Sequence, residues 1–265
     1  VIITGGIDLS VGSVLALVGS VTAQLVVKGL HPVICLILGL MLGFVLGAIN
    51  GVLVTKFKLQ PFIATMGTMS VYRGLAYVVT NGYPVLGVSP IYRKMVNGEI
   101  IPFIRISVIV FFVFAAIMFV VLRKTRLGTY VYAVGGNEEA TRLSGVNIDR
   151  TKILIFALGM MGTALAAMIQ VGKLGTGDPT TGNGYELNAI AAAAIGGTSM
   201  AGGRGNVFGT LLGAILFAAL KVGLIVLGVD TFYQYIATGL VIIVAAYIEV
   251  VQTQISSKTK LKVAA

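Results

Sequence analysis

The sequence has little charge and few of the side chains that build catalytic or metal sites. Of its 265 residues, only 11% are charged and 57% are hydrophobic, and the mean hydropathy is +0.99. Tryptophan is absent, and there is one cysteine and one histidine. So few charges cannot cover the surface of a water-soluble protein of this size, which excludes an ordinary soluble domain. We therefore expect most of the surface to face a lipid bilayer.

The scarcity of reactive side chains also limits the chemistry. The single Cys35 and the single His31 exclude a disulfide framework and a zinc site built on these residues, so we predict no metal site. A Gly-x-x-x-x-Gly-Lys-Ser/Thr phosphate loop is absent, and no nucleophile lies in a recognisable elbow. We predict that the chain is not an enzyme and binds no cofactor itself. We attribute the net charge of +10 to basic residues in the loops of a membrane protein, and we expect no nucleic-acid partner.

Long apolar runs recur along the chain at the length that crosses a bilayer as a helix. They predict seven spans, at 9–27, 33–54, 61–80, 105–122, 152–171, 206–228 and 231–250. The shorter stretch 187–195 is interpreted as a half-helix, which a membrane tolerates only where protein or water satisfies its backbone. The predicted fold class is all-α, a polytopic transmembrane helical bundle with about seven full spans plus this broken half-helix. Because Val1 already lies in an apolar stretch, we expect earlier spans to be missing.

The basic residues predict one orientation. With the C-terminal tail inside, most Lys and Arg residues lie on the cytoplasmic side, including those of segment 123–152. Arg73 and Lys221 fall within spans, where we expect them to snorkel toward an interface, and a place along a polar path is the alternative.

Glycine is abundant and patterned. Two ladders of glycines four residues apart predict close helix packing inside the subunit, with a dimer contact as the alternative; they are Gly39, Gly43, Gly47 and Gly51, then Gly205, Gly209 and Gly213. A second pattern suggests an internal repeat with broken helices at matching points of two halves. Its turn residues are Gly5, Gly6 and Gly12 in the first half and Gly196, Gly197 and Gly203 in the second. Asp8 is expected to cap the helix that follows it.

Segment 132–145 is polar and helix-compatible between glycines. Glu138, Glu139 and Arg142 suit a short element that docks into a groove on a soluble partner, and a solvated loop is the alternative. Glu139-Ala140 with Gly145 resembles the Glu-Ala-Ala-x-x-x-Gly signature of ABC-importer permeases, although Thr141 replaces the second alanine and the usual Leu-Pro does not follow.

Longer strings carry a more specific resemblance. They are residues 3–13 (ITGGIDLSVGS), 80–85 (TNGYPV), 133–145 (AVGGNEEATRLSG) and 184–203 (GYELNAIA, then GGTSMAGG). Over essentially the whole chain, the sequence resembles the ribose-type sugar permeases of bacterial ABC importers, in the branched-chain and ribose permease family of inner-membrane components.

The resemblance implies an architecture and partners. Members have about ten membrane helices per subunit and work as a permease dimer in the bacterial inner membrane. A cytoplasmic ATP-binding subunit carries the ATP and Mg, and an external binding protein delivers the sugar. We therefore predict a single permease domain over 1–265 that lacks its N-terminal helices, with 123–152 as its cytoplasmic coupling loop. The predicted coupling residues are Asn137, Glu138, Glu139, Ala140, Arg142 and Gly145.

The predicted function is the membrane-spanning permease subunit of an ATP-driven importer for a small sugar, with ribose favoured. A neutral sugar needs hydrogen-bonding side chains along its path. The candidates are Asn50, Asn81, Gln170, Tyr185 and Gln234. The alternatives are an ATP-independent secondary transporter or facilitator, and a membrane scaffold. Against a proton-driven transporter, no Asp or Glu occurs between Asp8 and Glu99.

Overall fold

The chain folds as a helical bundle with one small hairpin. A computed structural model describes residues 1–244, 247 and 251. A short 3-10 helix, Ile2–Thr4, precedes eleven described α-helices: α1 Val11–Val27, α2 Pro32–Thr55, α3 Pro61–Thr80, α4 Pro90–Asn97, α5 Ile106–Lys124, α6 Arg126–Gly136, α7 Glu138–Leu143, α8 Ile148–Leu174, α9 Tyr185–Ile195, α10 Val207–Val226 and α11 Thr231–Val244. Strands β1 (Glu99–Ile101) and β2 (Ile104–Arg105) form an antiparallel hairpin between α4 and α5.

The helices lie where the apolar runs predict them, so the all-α helical membrane fold is confirmed. Within the described part of the chain, α2, α5, α8 and α10 are long and apolar enough to cross a membrane. The predicted spans 9–27 and 61–80 coincide with α1 and α3, and the half-helix 187–195 coincides with α9. Span 231–250 begins as α11, but its last residues are outside the described range except 247.

Local sequence signals explain where several helices begin. Proline occupies the first position of α2, α3 and α4, where its missing N–H costs no helical hydrogen bond. Asparagine precedes α7, α8 and α10, and in each case its side-chain oxygen accepts a hydrogen bond from a backbone N–H of the first turn. Both kinds of signal are readable from sequence.

The centre of the bundle is the contact between α2 and α8, with α1 packed on both. The first glycine ladder faces α8 throughout. A Cβ on Gly43 would lie 2.6 Å from the Cβ of Ala164, and a Cβ on Gly51 would lie 2.5 Å from the Cα of Ile153. One on Gly47 would overlap the backbone of Phe156. The ladder therefore brings two helix backbones together inside the subunit, as predicted.

The second ladder packs inside the subunit as well, between α9 and α10. A Cβ on Gly209 would overlap the carbonyl oxygen of Gly196, and one on Gly213 would overlap that of Ala192. Gly205, predicted as the first rung, lies before α10 begins and has a φ of 152°. The ladder on α10 therefore consists of Gly209 and Gly213.

The bundle has two ends. At one end, here called the α7 end, α2 and α5 finish, α8 begins, and α6 and α7 connect them. Lys56, just after α2, forms an ion pair with Asp149 in the first turn of α8 at 2.8 Å. At the opposite end, the hairpin end, α4 and the β1–β2 hairpin lie between the end of α3 and the start of α5.

Candidate functional site

Segment 176–195 passes through the bundle as an irregular stretch followed by the short helix α9. Near its start, Gly177 lies beside α1, where an added Cβ would be 2.5 Å from the Cβ of Ala23. Gly182, five residues later, lies against Gly12 in the first turn of α1. A Cβ added to Gly12 would overlap the carbonyl oxygen of Gly182. The chain thus follows α1 along most of its length before α9 starts, and we call 176–195 the broken crossing.

Arg73 on α3 fixes the irregular part of this crossing. Its Nη1 donates hydrogen bonds to the carbonyl oxygens of Pro179 at 2.5 Å and Thr181 at 2.9 Å. Backbone carbonyls that leave a helix inside a membrane protein need such donors, because lipid supplies none. The expectation that Arg73 snorkels toward an interface is therefore wrong, because its guanidinium group is used inside the fold.

A polar cavity lies beside this arginine, between α3 and α9. Its empty space, counted together with the open solvent at its mouth, is about 590 Å³, and it is lined by Ser13, Met69, Ser70, Arg73, Asn183 and Glu186. Glu186, in the first turn of α9, is close enough to Arg73 to stabilise its positive charge. The cavity thus combines hydroxyl, amide, carboxylate and guanidinium groups. Together they offer both donors and acceptors to a polar solute.

A second cavity adjoins the first, because Asn183 lines both. It lies between the start of α9 and the facing sides of α10 and α11, and its empty space, counted together with the open solvent at its mouth, is about 690 Å³. Two of the predicted pathway residues, Tyr185 and Gln234, line it together with Asn188, Lys221 and Thr238. The ammonium group of Lys221 lies 6.0 Å from the centre of the Phe217 ring, within the range of a cation–π contact.

The other predicted pathway residues lie elsewhere. Gln170 lines a narrow cleft between α1 and α8, near Gly19 and Asp178. Asn81 ends α3 with a left-handed φ of 51° and is exposed at the hairpin end. The structure therefore does not bring Gln170 or Asn81 together with Tyr185 and Gln234 in one cavity.

Asn50 belongs to a buried hydrogen-bond cluster. Its Nδ2 donates to the Asp8 carboxylate at 3.2 Å and to the Ser10 hydroxyl at 2.8 Å, and its Oδ1 accepts from the Tyr72 hydroxyl at 3.2 Å. All four residues are less than a tenth exposed. The cluster joins the loop before α1 to α2 and α3, so we call it the Asn50 cluster.

Asp8 does not cap α1 in the predicted way. Its Oδ1 accepts hydrogen bonds from the backbone N–H and the hydroxyl of Ser10, at 2.9 and 2.7 Å. These bonds close a local turn before the helix, and no side-chain cap is made at Ser10 itself. Burial raises the pKa of the Asp8 carboxyl, and the hydrogen bonds from Ser10 and Asn50 act in the opposite direction.

The predicted coupling residues form a compact element at the α7 end. Asn137 precedes α7 and its Oδ1 accepts a hydrogen bond from the Ala140 N–H at 2.9 Å. Glu138 forms ion pairs with Lys152 of α8 at 2.6 Å and with Arg142 at 3.4 Å. The ion pair with Lys152 attaches α7 to the bundle, whereas the pair with Arg142 lies within α7.

The opposite side of α7 is open. Glu139, Ala140 and Arg142 are exposed, and so is Leu143, at 81%. Gly145 follows the helix with a left-handed φ of 82°, which favours glycine and ends α7 with a turn. A short, fixed helix with acidic, basic and apolar groups on its free side suits a protein partner.

Helix α6 links α7 to both glycine turns. The Tyr132 hydroxyl donates to the carbonyl oxygen of Gly205 at 2.8 Å. The N–H of Gly203 in turn donates to the carbonyl oxygen of Ile3 at 2.8 Å, and a Cβ on Gly135 would overlap that carbonyl. The predicted turns around Gly5 and Gly203 therefore touch each other and pack on the same helix.

Sequence patterns do not single out most of the residues that line the first cavity. Ser13, Ser70 and Asn183 carry no distinctive spacing, and Glu186 stands alone next to an apolar run. Arg73 is the exception, because a basic residue in the middle of a predicted span is a functional signal in its own right. Within the described ranges, no group of three or more His, Cys, Asp or Glu side chains is placed to hold a metal ion.

Comparison with known proteins identifies the family that this chain matches. The family described as the permease component of the branched-chain amino acid transport system matches residues 1–246. Ribose import permease protein RbsC of Bacillus subtilis (strain 168) is 46% identical over 253 residues, which covers 94% of this chain and 78% of the relative. No solved structure matches the chain.

Other relatives are similar over the same extent. RbsC of Escherichia coli (strain K12) is 43% identical over 259 residues, with 94% and 78% of the two chains covered. The D-allose transport system permease protein AlsC of the same organism is 36% identical over 249 residues, with 94% and 76% covered.

Proposed function

The chain belongs to the family of permease components of the branched-chain amino acid transport systems, and from this membership we propose that it is the membrane-spanning subunit of an ATP-driven sugar importer, with ribose as the favoured substrate. It is a multi-pass membrane protein, and we place it in the bacterial inner membrane. The observation that supports the proposal most directly is the broken crossing with its polar cavity.

The cavity favours a neutral, hydroxyl-rich solute. Ser13, Ser70 and Asn183 offer hydrogen bonds without charge, and two backbone carbonyls use Nη1 of Arg73, which leaves its Nη2 and Nε as further donors. A sugar hydroxyl both donates and accepts, so it matches such a mixed lining. The relatives RbsC and AlsC are named for ribose and D-allose, which agrees with this class of substrate.

A branched-chain amino acid is the second candidate. The family description names that substrate, and Glu186 together with Arg73 offers one charge of each sign to a zwitterion. Pro179 and Thr181 accept only from Nη1 of Arg73, so Nη2 and Nε remain as donors for a carboxylate. The names of the relatives RbsC and AlsC favour the sugar instead. Uptake of labelled leucine is therefore the control for uptake of labelled ribose.

The energy for import comes from a partner. We assign ATP and Mg to a cytoplasmic ATP-binding subunit that contacts the free side of α7, and substrate delivery to an external sugar-binding protein. A second copy of the permease completes the pathway. Asn137, Glu138, Glu139, Ala140, Arg142 and Gly145 form the coupling element in this proposal.

The contacts within the chain provide a route for coupling. A push on α7 moves α6, since the two helices adjoin at Asn137. Helix α6 holds the turn around Gly203 and Gly205 through Tyr132, and that turn separates α9 from α10. Movement of α9 against α10 changes the shape of both cavities, which is the change of access an importer needs.

Reconstituted transport tests the proposal. Proteoliposomes contain the permease, its ATP-binding subunit and the external binding protein, and uptake of labelled ribose is measured with and without ATP and with a protonophore. We expect uptake that needs ATP and ignores the protonophore. Uptake by the permease alone, or uptake abolished by the protonophore, supports the secondary transporter, and the absence of flux under every condition supports the scaffold.

A further inference from the structure

The hairpin end carries an exposed apolar surface that the transport mechanism does not use. In the β1–β2 hairpin, the side chains of Ile100, Ile101 and Ile104 are 58%, 57% and 42% exposed, and Phe103 at the tip is 98% exposed. We propose that this hairpin is an interfacial membrane anchor, whose tip inserts into the lipid at the boundary between headgroups and acyl chains.

The root of the hairpin is fixed to the bundle. On the α4 side, the Tyr92 hydroxyl donates to the carbonyl oxygen of Met168 in α8 at 3.1 Å. On the α5 side, the Ile106 N–H donates to the carbonyl oxygen of Gly98 at 2.9 Å, and the Ser107 hydroxyl donates to Asn97 Oδ1 at 3.0 Å. The hairpin therefore projects from a rigid base and keeps a defined height on the molecule.

The root of the hairpin lies at the edge of the hydrocarbon layer. Helix α5 follows the hairpin directly, and none of its residues, all of which are described, is buried in the protein. Its 19 residues span about 29 Å, at a rise of about 1.5 Å per residue, which matches a hydrocarbon core of about 30 Å. The first residue of α5, Ile106, thus lies at the lipid boundary, and the hairpin continues from it.

The charges around the hairpin fit the same depth. Arg105 precedes α5, and Arg93 and Lys94 are exposed on α4, where Arg93 Nε also donates to the carbonyl oxygen of Gly172 at 3.5 Å. One acid, Glu99, is exposed in β1 opposite Arg105, so the basic residues outnumber it. Basic side chains beside an apolar tip are the arrangement of segments that lie in the interface, where phosphate groups pair with the cations. The surface is therefore continuous with the lipid-facing side of α5 and complementary to anionic headgroups.

The conformation of Phe103 points to a role for its ring. Phe103 follows Pro102 with a φ of 73°, a left-handed conformation that glycine or asparagine normally occupies in such a turn. A bulky aromatic residue at positive φ is strained and uncommon. In water, the exposed phenyl ring makes no favourable contact that offsets the backbone strain. In lipid, the transfer of the ring out of water supplies a favourable free energy of burial.

Fluorescence of one introduced tryptophan tests the anchor, since the chain has no tryptophan of its own. Phe103→Trp is placed in the reconstituted permease, and quenching by brominated lipids is compared with quenching by aqueous iodide. Ile100→Trp is a second reporter in case the tip variant perturbs the turn. Phe112→Trp on lipid-facing α5 and Leu143→Trp on α7 are the matched controls for hydrocarbon and water.

We expect Phe103→Trp to emit at shorter wavelength than Leu143→Trp and to lose more fluorescence to bromines near the headgroups than to bromines at the chain ends. Phe112→Trp should show the reverse preference. Quenching of both hairpin reporters by iodide but not by brominated lipid would overturn the anchor. Protection from iodide that appears only when the external binding protein is added would also overturn it, because the occupant would then be a protein.

Discussion

Two helix pairs in this bundle close on glycines, and they have different surroundings. In the α2–α8 pair, the glycines of α2 face α8, and both helices pack against α1. Helix α1 is itself largely buried, at twelve of its seventeen residues. In the α9–α10 pair, Gly209 and Gly213 hold α10 against a short helix, and only Gly213 and Phe217 of α10 are buried. The same glycine spacing thus builds a central scaffold in one place and the wall of a cavity in the other.

The difference shows what glycine spacing predicts. Four-residue spacing indicates that two backbones approach closely, and it does so for both pairs. The role of each contact follows from its neighbours: α8 is continuous through the bundle, whereas α9 follows an irregular stretch pinned by Arg73. A change in the first pair should therefore affect folding, and a change in the second should affect transport.

The largest effect is expected from Gly47→Leu in the scaffold. The new side chain would overlap the backbone of Phe156, and backbone atoms cannot move aside as a side-chain end can. We expect destabilisation at or above the upper end of the usual range of about 1–3 kcal/mol for overpacking. Yield of folded protein in membranes and thermal stability in detergent provide the measurement.

The matched control for this variant is Gly67→Leu on α3, where a Cβ meets no atom within 4 Å. It should fold like the parent. Equal yields for the two variants would contradict the assignment of α2–α8 as the scaffold.

A selective loss of transport is expected from Gly213→Leu in the cavity wall. The leucine would overlap the carbonyl oxygen of Ala192 and push α9 away from α10. We expect uptake per folded molecule to fall by about tenfold or more, the equivalent of about 1.4 kcal/mol, with a smaller loss of stability than for Gly47→Leu. Gly223→Leu, on the same helix with no atom within 4 Å of a Cβ, should transport normally.

Arg73, which holds the irregular part of the broken crossing, gives a sharper test of whether a contact serves transport or folding. Arg73→Gln removes the charged donor to Pro179 and Thr181. Hydrogen bonds from charged groups contribute about 1.5–3 kcal/mol each, and about 1.4 kcal/mol corresponds to a tenfold change, so we expect uptake to fall at least about tenfold while the scaffold stays folded. Arg73→Lys should recover only part of the activity, because an ammonium group lacks the planar fork of guanidinium. Full activity in Arg73→Gln would contradict the role assigned to this residue.

The smallest effect is expected from Asn50→Ala, which probes the scaffold side. The change removes one hydrogen bond each from Asp8 and Tyr72, while Asp8 keeps its bonds from Ser10 and Tyr72 keeps its bond to the carbonyl oxygen of Leu46. It should cost about 1 kcal/mol of stability. Transport per folded molecule and preference among sugars should not change. An altered sugar preference would instead support the original prediction that Asn50 lines the pathway. Asn81→Gly, at an exposed position whose positive φ suits glycine, is the control.

The sequence predicted the helices better than the cavity. Apolar runs and capping residues act locally, so α2, α3 and α8 lie within a few residues of their predicted bounds. The β1–β2 hairpin was not foreseen, because it is too short to leave an alternating pattern. The cavity depends on contacts between Arg73 and residues more than a hundred positions away, and a single sequence carries no signal for such pairs.

The central claim is that the cavity beside the broken crossing opens to the two sides of the membrane in turn under control of the partner ATPase. Ser70→Cys, in a background where the only cysteine is removed by Cys35→Ala, places one thiol in that cavity. Labelling by a membrane-impermeant thiol reagent is measured from each side, with and without nucleotide trapping, and Phe112→Cys on α5 serves as the unlabelled lipid-facing control. We predict that the accessible side changes when nucleotide is trapped. Labelling from the same side and at the same rate in both states would contradict the account.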